Sequence, residues 1–146
     1  NIVNEIDYRK YNFILKSHPN QKVETANKNI YMCDDIKTID LLEITDYLIT
    51  DYSAISIEAA VLDIKTFYYL FDYEDYKKNN GINIDIKKEM PGYVYEDFKD
   101  LYNSLDKHEY NMKPLKDYKT KFLPKSLGNS SENITKEILN FLKAGE

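Results

Sequence analysis

Polar residues with phosphate-binding chemistry follow a short apolar run near the middle of the chain. The turn Thr50-Asp51-Tyr52-Ser53 comes directly after the apolar residues 47–49, and a helical pattern then begins at about Ser53. At the carboxyl end of a parallel strand such a turn is where ligands bind. A helix start there also offers backbone N–H groups to a phosphate. The segment therefore predicts an anion-binding corner in which Asp51 and Ser53 take part.

Two further polar clusters are predicted to reach the same edge of the sheet. Lys16, Ser17 and His18 end an early apolar run, and Ser130 and Ser131 stand at the start of the last helical pattern. The carboxyl ends of parallel strands share one edge, so we expect these side chains to converge on the corner. Hydroxyls, an ammonium group and an imidazole would suit a diphosphate, and a histidine can act as an acid or base near neutral pH.

Each of these residues also has a purely structural alternative. Asp51 and Ser53 are favoured N-cap residues, and a serine pair before a helix often only caps it. Glu58 lies in the first or second turn of the helix after the corner, where the helix dipole favours an acidic side chain anyway. His18 can simply end a strand. The residues alone leave both interpretations open.

Composition excludes several classes of protein. The 146 residues carry a net charge of −5, which argues against a nucleic-acid partner. A single cysteine, Cys33, rules out an internal disulfide framework and a multi-cysteine metal site. With only four glycines, the chain has no glycine-rich phosphate loop. We expect no metal and no cofactor, and the lack of a long apolar stretch predicts a soluble domain.

Strand and helix patterns alternate along the chain. Apolar runs predict strands at residues 11–16, 29–33, 47–50 and 66–71 and a short edge strand at 93–95. Helical spacing predicts helices at residues 35–45, 53–62, 73–78, 96–105, 110–122 and 130–142, with an interruption at Pro114. This alternation implies βαβ units and a parallel sheet with flanking helices, in one α/β domain formed by residues 1–146.

Four motifs in a fixed order add to this pattern. They are Ser17-His18-Pro19-Asn20, the leucine-containing helix and turn from Asp40 to Ser53, the segment Phe71-Asp72-Tyr73-Glu74-Asp75-Tyr76, and Pro91-Gly92. Over roughly residues 11–95, with a weaker echo at 128–133, the chain resembles the CDP-glycerol glycerophosphotransferases of bacterial teichoic-acid and capsule polymer synthesis. The resemblance implies a GT-B architecture. This chain would be its Rossmann-like C-terminal half, lacking the first strand of that half.

The resemblance also implies roles for individual residues. Lys16, His18 and Ser53 would contact the pyrophosphate of the donor, and Glu58 would bind hydroxyls of the ribose or glycerol. His18 would be the catalytic residue that stabilises or protonates the leaving CMP. Ala54 stands where the family usually has a second serine, and Glu58 stands where an aspartate is more usual. The predicted substrate-binding set is completed by Ser17, Asp51, Ala54, Ser130 and Ser131.

Partners follow from the same resemblance. The donor would be CDP-glycerol or a related CDP-alditol, and the acceptor would be a lipid-linked polymer. A preceding N-terminal GT-B domain would complete the cleft and carry a second catalytic histidine. The full-length protein would be cytoplasmic and peripheral at the inner face of the cell membrane, and this chain alone would bind nucleotide weakly without catalysing transfer.

Two other functions remain open on the sequence. One is the donor-binding half of a GT-B glycosyltransferase that uses UDP- or GDP-sugars, because the fold and the acid that binds the ribose are shared. The other is a non-catalytic interaction module of flavodoxin-like shape, which would fold stably without responding to any nucleotide.

Overall fold

The strands of the molecule pair in parallel, as the alternation of strands and helices predicts. A computed structural model describes residues 2–18, 23–123 and 127–144. The strands described are β1 (Phe13–Leu15), β2 (Ile30–Met32), β3 (Tyr47–Thr50), β4 (Lys65–Tyr69) and β5 (Val94–Tyr95). Each strand pair is parallel, with Ile14 opposite Tyr31 and Ile49 opposite Phe67. The Rossmann-like α/β class is therefore confirmed.

The helices follow the predicted order with three differences. They are α1 (Thr38–Leu42), α2 (Ile55–Val61), α3 (Tyr73–Asn80), α4 (Ile86–Glu89), α5 (Phe98–Asp106), α6 (Met112–Phe122) and α7 (Ser130–Ala144), after a 3-10 turn at Ile2–Asn4. α1 is shorter than predicted, and α4 lies between residues 78 and 96, where no helix is predicted. Pro114 does not interrupt α6, because it lies in the first turn, where its missing N–H is not needed. The predicted turn at Pro19-Asn20 lies outside the described residues.

The described strands form two ladders, β2-β1 and β3-β4-β5, and not one continuous sheet. Every residue of β1 and β3 is only half-buried, whereas the middle of β4 is buried. The common doubly wound order is 3-2-1-4-5-6. Apart from its 1-4 pair, that order places strands next to each other that are consecutive along the chain, and both ladders do the same.

His108 links the amino-terminal ends of the two ladders. Its Nε2 atom lies 3.4 Å from Tyr11 Oη, and its Nδ1 atom lies 3.2 Å from Tyr47 Oη. Tyr11 precedes β1 and Tyr47 begins β3, so the two strands start close together. Burial and the neighbouring Asp106 carboxylate raise the pKa of Tyr11 to about 12, which keeps its hydroxyl protonated near neutral pH.

The core surrounds β4. Phe67, Tyr68 and Leu70 are at most 1% exposed, as are Leu101 of α5 and Leu115 of α6. Successive side chains of a strand point to opposite faces, so these residues need cover on both sides of the sheet. The helices α2, α5 and α6 all contact β4 and supply that cover. Both β3 and α2 also contact β4, so the core fixes the position of the turn that joins the end of β3 to the start of α2.

The last helix carries an apolar face that none of the described residues covers. No residue of α7 is buried. Its apolar side chains are among the most exposed of the molecule, with Ile134, Ile138 and Phe141 at 60%, 56% and 81% exposure. α7 therefore contributes little to the core of this domain.

Candidate functional site

The corner between β3 and α2 is built by side-chain hydrogen bonds to the backbone. Asp51 Oδ1 accepts a hydrogen bond from the Ser53 amide at 3.0 Å, and Ser53 Oγ accepts one from the Ile55 amide at 3.4 Å. These are the short-range bonds that aspartate and serine form in turns and at helix starts. α2 has only seven residues, so the corner's chemistry rests on these polar side chains more than on a helix dipole.

A cavity of about 250 Å³ opens at this corner. The corner supplies one wall, the segment after α3 supplies the opposite wall, and α6 closes the base. Its lining residues are Asp51, Tyr52, Ser53, Ala54, Ser56, Ile57, Tyr76, Gly81, Ile82, Asn83, Ile84, Ile86 and Tyr118. Three residues of the predicted site, Asp51, Ser53 and Ala54, thus share one cavity.

Tyr52 ties the corner to the start of α3. Its hydroxyl donates a hydrogen bond to Asp72 Oδ1 at 3.1 Å, and its ring stacks on Tyr76 with the centroids 3.6 Å apart and an interplanar angle of 8°. Burial and the Asp72 carboxylate raise the pKa of Tyr52 well above its usual value, so the hydroxyl stays a donor. The hydrogen bond and the stacking therefore fix the position of Tyr76, which lines the cavity, relative to the corner at Ser53.

Lys16 organises the loop between β2 and α1. Its ammonium group donates hydrogen bonds to the carbonyl oxygens of Cys33, Asp34 and Ile36, at 3.3, 3.1 and 2.6 Å. An ammonium group has three protons, and three carbonyls accept them here. The neighbouring Ser17 amide donates to Asp34 Oδ1 at 2.8 Å. Both residues therefore join the end of β1 to this loop, and neither lines the cavity.

Replacing Lys16 with glutamine is expected to lower the free energy of unfolding by about 1 kcal/mol, because carbonyls of the loop lose a charged donor. The exposed Lys28 provides the matched control, and Lys28→Gln should leave stability unchanged. Urea denaturation of the two variants measures the difference. Equal midpoints for Lys16→Gln and the wild type would show that the ammonium group does not hold this loop.

The other predicted site residues lie outside the cavity. His18 is exposed and follows β1 after Lys16 and Ser17. Glu58 is exposed on α2, and Ser130 and Ser131 are exposed on the first turn of α7. The structure thus brings together only the corner cluster. For His18, Glu58 and the two serines, the predicted contacts with substrate stay predictions.

Several residues of the cavity were not expected from the sequence. Ser56, Tyr76, Asn83 and Tyr118 all contribute polar atoms to its lining. Tyr118 lies more than 60 residues from the corner along the chain, and Asn83 belongs to a segment that looks like an irregular excursion. No local pattern marks either residue, because tertiary packing alone brings them to Ser53.

The described residues contain neither a cluster of metal ligands nor a helix that could span a membrane. Within them, no group of three or more histidine, cysteine, aspartate or glutamate side chains is arranged to hold a metal ion. None of the helices in the described ranges is both long and apolar enough to cross a membrane.

The sequence of the chain matches a known protein family. The model of the family described as CDP-Glycerol:Poly(glycerophosphate) glycerophosphotransferase matches residues 3–140. The match covers β1 to β5 and six of the helices completely, together with most of α7. The chain therefore belongs to the CDP-glycerol:poly(glycerophosphate) glycerophosphotransferase family.

Curated relatives carry names from teichoic acid synthesis. A teichoic acid ribitol-phosphate primase of Bacillus spizizenii is 26% identical over 96% of this chain and 37% of that protein. A teichoic acid glycerol-phosphate primase of Staphylococcus aureus is 33% identical over 88% of this chain and 34% of that protein. A ribitol-phosphate polymerase of the same species is 29% identical over 86% of this chain and 26% of that protein. The chain thus spans about a third or less of these relatives.

Proposed function

We propose that this chain is the donor-binding domain of a CDP-glycerol or CDP-ribitol phosphotransferase. The whole protein would transfer alditol phosphate to a teichoic-acid-like or capsular polymer and release CMP. The family match over residues 3–140 carries this proposal, because it includes the corner at Ser53 and the strand end at His18. Relatives named for glycerol phosphate and for ribitol phosphate are both found, so the proposal includes both alditols.

The diphosphate of the donor lies at the corner in this proposal. Ser53 offers a hydroxyl there, and the exposed residues Asp51, Ser53 and Ala54 all line the cavity. Lys16 stays a predicted contact of the pyrophosphate, and its hydrogen bonds to the loop between β2 and α1 also make it a positioning residue beside the end of β1. Glu58 is the acid that binds donor hydroxyls on the outer face of α2. Ser17, Ser130 and Ser131 remain predicted contacts without a defined partner on the donor.

Transfer itself is a substitution at the β-phosphorus. An acceptor hydroxyl oxygen bonds to that phosphorus while the bond to the bridging oxygen breaks, and the electron pair leaves with CMP. The hydroxyl proton goes to a base of the preceding N-terminal domain, and His18 supplies charge or a proton to CMP. Positioning and charge neutralisation provide most of the rate in such reactions. The complete protein would work at the inner face of the cell membrane on a lipid-linked acceptor.

Calorimetric titration of the 146-residue chain with nucleotides tests the proposal. CDP-glycerol should bind more tightly than UDP- or GDP-sugars at millimolar concentrations. Ser53→Ala should weaken CDP-glycerol binding by about tenfold, the effect of one lost charge-assisted hydrogen bond. Ser104→Ala, on α5, serves as the matched control and should bind as the wild type does. Preference for a uridine or guanosine nucleotide would select the glycosyltransferase alternative instead.

A further inference from the structure

The cavity at the corner has a base made of buried hydroxyl groups. Ser56 of α2 and Tyr118 of α6 line it, and they are only 3% and 1% exposed. Ser56 Oγ lies 3.4 Å from Tyr118 Oη and donates to the Ser53 carbonyl at 3.1 Å. Two fixed hydroxyls at the bottom of a cavity can each donate and accept hydrogen bonds. The base of the cavity is therefore polar although it is buried.

A third hydroxyl, that of Tyr68, lies next to those of Ser56 and Tyr118. Tyr68 of β4 is fully buried, and the hydroxyls of Ser56 and Tyr118 are its polar neighbours. Burial raises its pKa, so it stays protonated. Its oxygen has no hydrogen-bond partner among the described residues. The hydroxyls of Ser56 and Tyr118 are thus backed by a third, protonated hydroxyl, so the buried base of the cavity is polar in depth as well as at its surface.

The charges of the lining residues indicate which kind of ligand the cavity can bind. Among the described residues that line the cavity there is no lysine, arginine or histidine, and Asp51 is the one charged side chain. Asp51 and Ser53 are exposed, so a diphosphate beside Ser53 stays in contact with water. An anionic group inside the cavity would lack both that water and a compensating cation. Ile57, Ile82 and Ile84 add apolar groups to the walls, beside the polar but uncharged Tyr76 and Asn83. This combination suits a neutral molecule with both hydroxyls and C–H faces.

The size of the cavity agrees with a small polyol. Its volume of about 250 Å³ leaves room for several water molecules or for one small polyol. A nucleobase is a poorer fit, because the face of Tyr76 nearest the corner is already covered by the stacked ring of Tyr52. We propose that the cavity binds the neutral alditol end of the donor, with Ser56 and Tyr118 as hydrogen-bonding partners of its hydroxyls. This inference rests on the proposed function, which puts the adjoining diphosphate at Ser53.

Comparing CDP-glycerol with CDP tests this proposal, because CDP lacks the alditol and ends in a free phosphate instead. Tyr118→Phe should weaken CDP-glycerol binding about five- to tenfold, the effect of one hydrogen bond, and leave CDP binding unchanged. Tyr31→Phe removes a hydroxyl from an exposed tyrosine on β2 and should change neither affinity. Equal effects of Tyr118→Phe on both ligands, or no effect on CDP-glycerol, would overturn the alditol site while leaving the proposed function intact if CDP binds.

A measurement on the wild-type chain avoids any effect of substitution on folding. The glycerol protons of bound CDP-glycerol should give intermolecular nuclear Overhauser effects to the methyl groups of Ile57, Ile82 and Ile84. Effects to these methyls would support the alditol site. Binding of CDP-glycerol without them would overturn it, and failure of both CDP and CDP-glycerol to bind would overturn the proposed function together with this inference.

Discussion

Phe67→Ala is expected to lower the free energy of unfolding by about 3–5 kcal/mol, the cost typical of deleting a buried phenyl ring. The ring is 1% exposed and lies at the centre of β4. Its centroid is 6.2 Å from that of Tyr47 on β3, 5.7 Å from Tyr93 and 5.5 Å from Tyr110. Its loss would leave a cavity between β3, β4 and the segments before β5 and α6. Small domains are stable by only about 5–15 kcal/mol, so much of the stability would be lost.

Phe71→Ala is the matched control for this prediction. Phe71 follows the same strand but is 67% exposed, and the ring of Tyr69 is its aromatic neighbour at 5.5 Å. We expect its removal to cost less than about 1 kcal/mol, because little apolar area returns to water. Urea denaturation followed by circular dichroism measures both variants. Equal losses would show that β4 is not the centre of the core.

Tyr110→Phe is expected to cost about 2 kcal/mol although it removes a single oxygen atom. Tyr110 Oη accepts a hydrogen bond from the Thr66 amide at 3.2 Å and donates one to the Thr66 carbonyl at 3.1 Å. Thr66 is fully buried in β4, and β5 pairs only with Tyr68 and Tyr69. The tyrosine hydroxyl thus replaces a strand neighbour. Without it, both backbone groups of Thr66 would be buried and unpaired.

A second tyrosine provides the control for this variant. The hydroxyl of Tyr95 donates to the Gly92 carbonyl at 2.7 Å in an exposed position. Water can replace that bond, so Tyr95→Phe should change stability by less than about 0.5 kcal/mol. The midpoints of urea denaturation of the two variants measure the difference in stability. A larger loss for Tyr95→Phe than for Tyr110→Phe would contradict the role given to Tyr110.

Local signals explain which parts of the fold could be predicted. The apolar run at residues 47–50, bounded by polar residues, coincides with β3 at Tyr47–Thr50. α4 was missed because a single turn of four residues has no periodicity to detect. The division into two ladders was not predicted either. Pairing between strands is a contact between distant parts of the chain, and the local patterns of β1 and β3 carry no signal for it.

The candidate site divides in the same way. Asp51 and Ser53 could be identified because their hydrogen bonds reach only two residues along the chain. Tyr118 could not, because its place in the cavity depends on how α6 packs against α2. Lys16 was correctly placed at a strand end, but its three carbonyl partners come from a loop whose path the sequence does not reveal. Hydrogen bonds between residues close in sequence can be predicted from the sequence, whereas a cavity assembled from distant segments cannot.

The most direct test of the account maps CDP-glycerol onto the chain by nuclear magnetic resonance. Titration of the isotope-labelled chain should shift the backbone amide signals of residues 50–54 and of the segment 81–84, which faces them across the cavity. Signals from the carboxyl-terminal half of α7 should not move. Saturable shifts at the corner that disappear in Ser53→Ala are the result the account predicts. Absence of any shift at millimolar CDP-glycerol, or shifts confined to other surfaces, would contradict it.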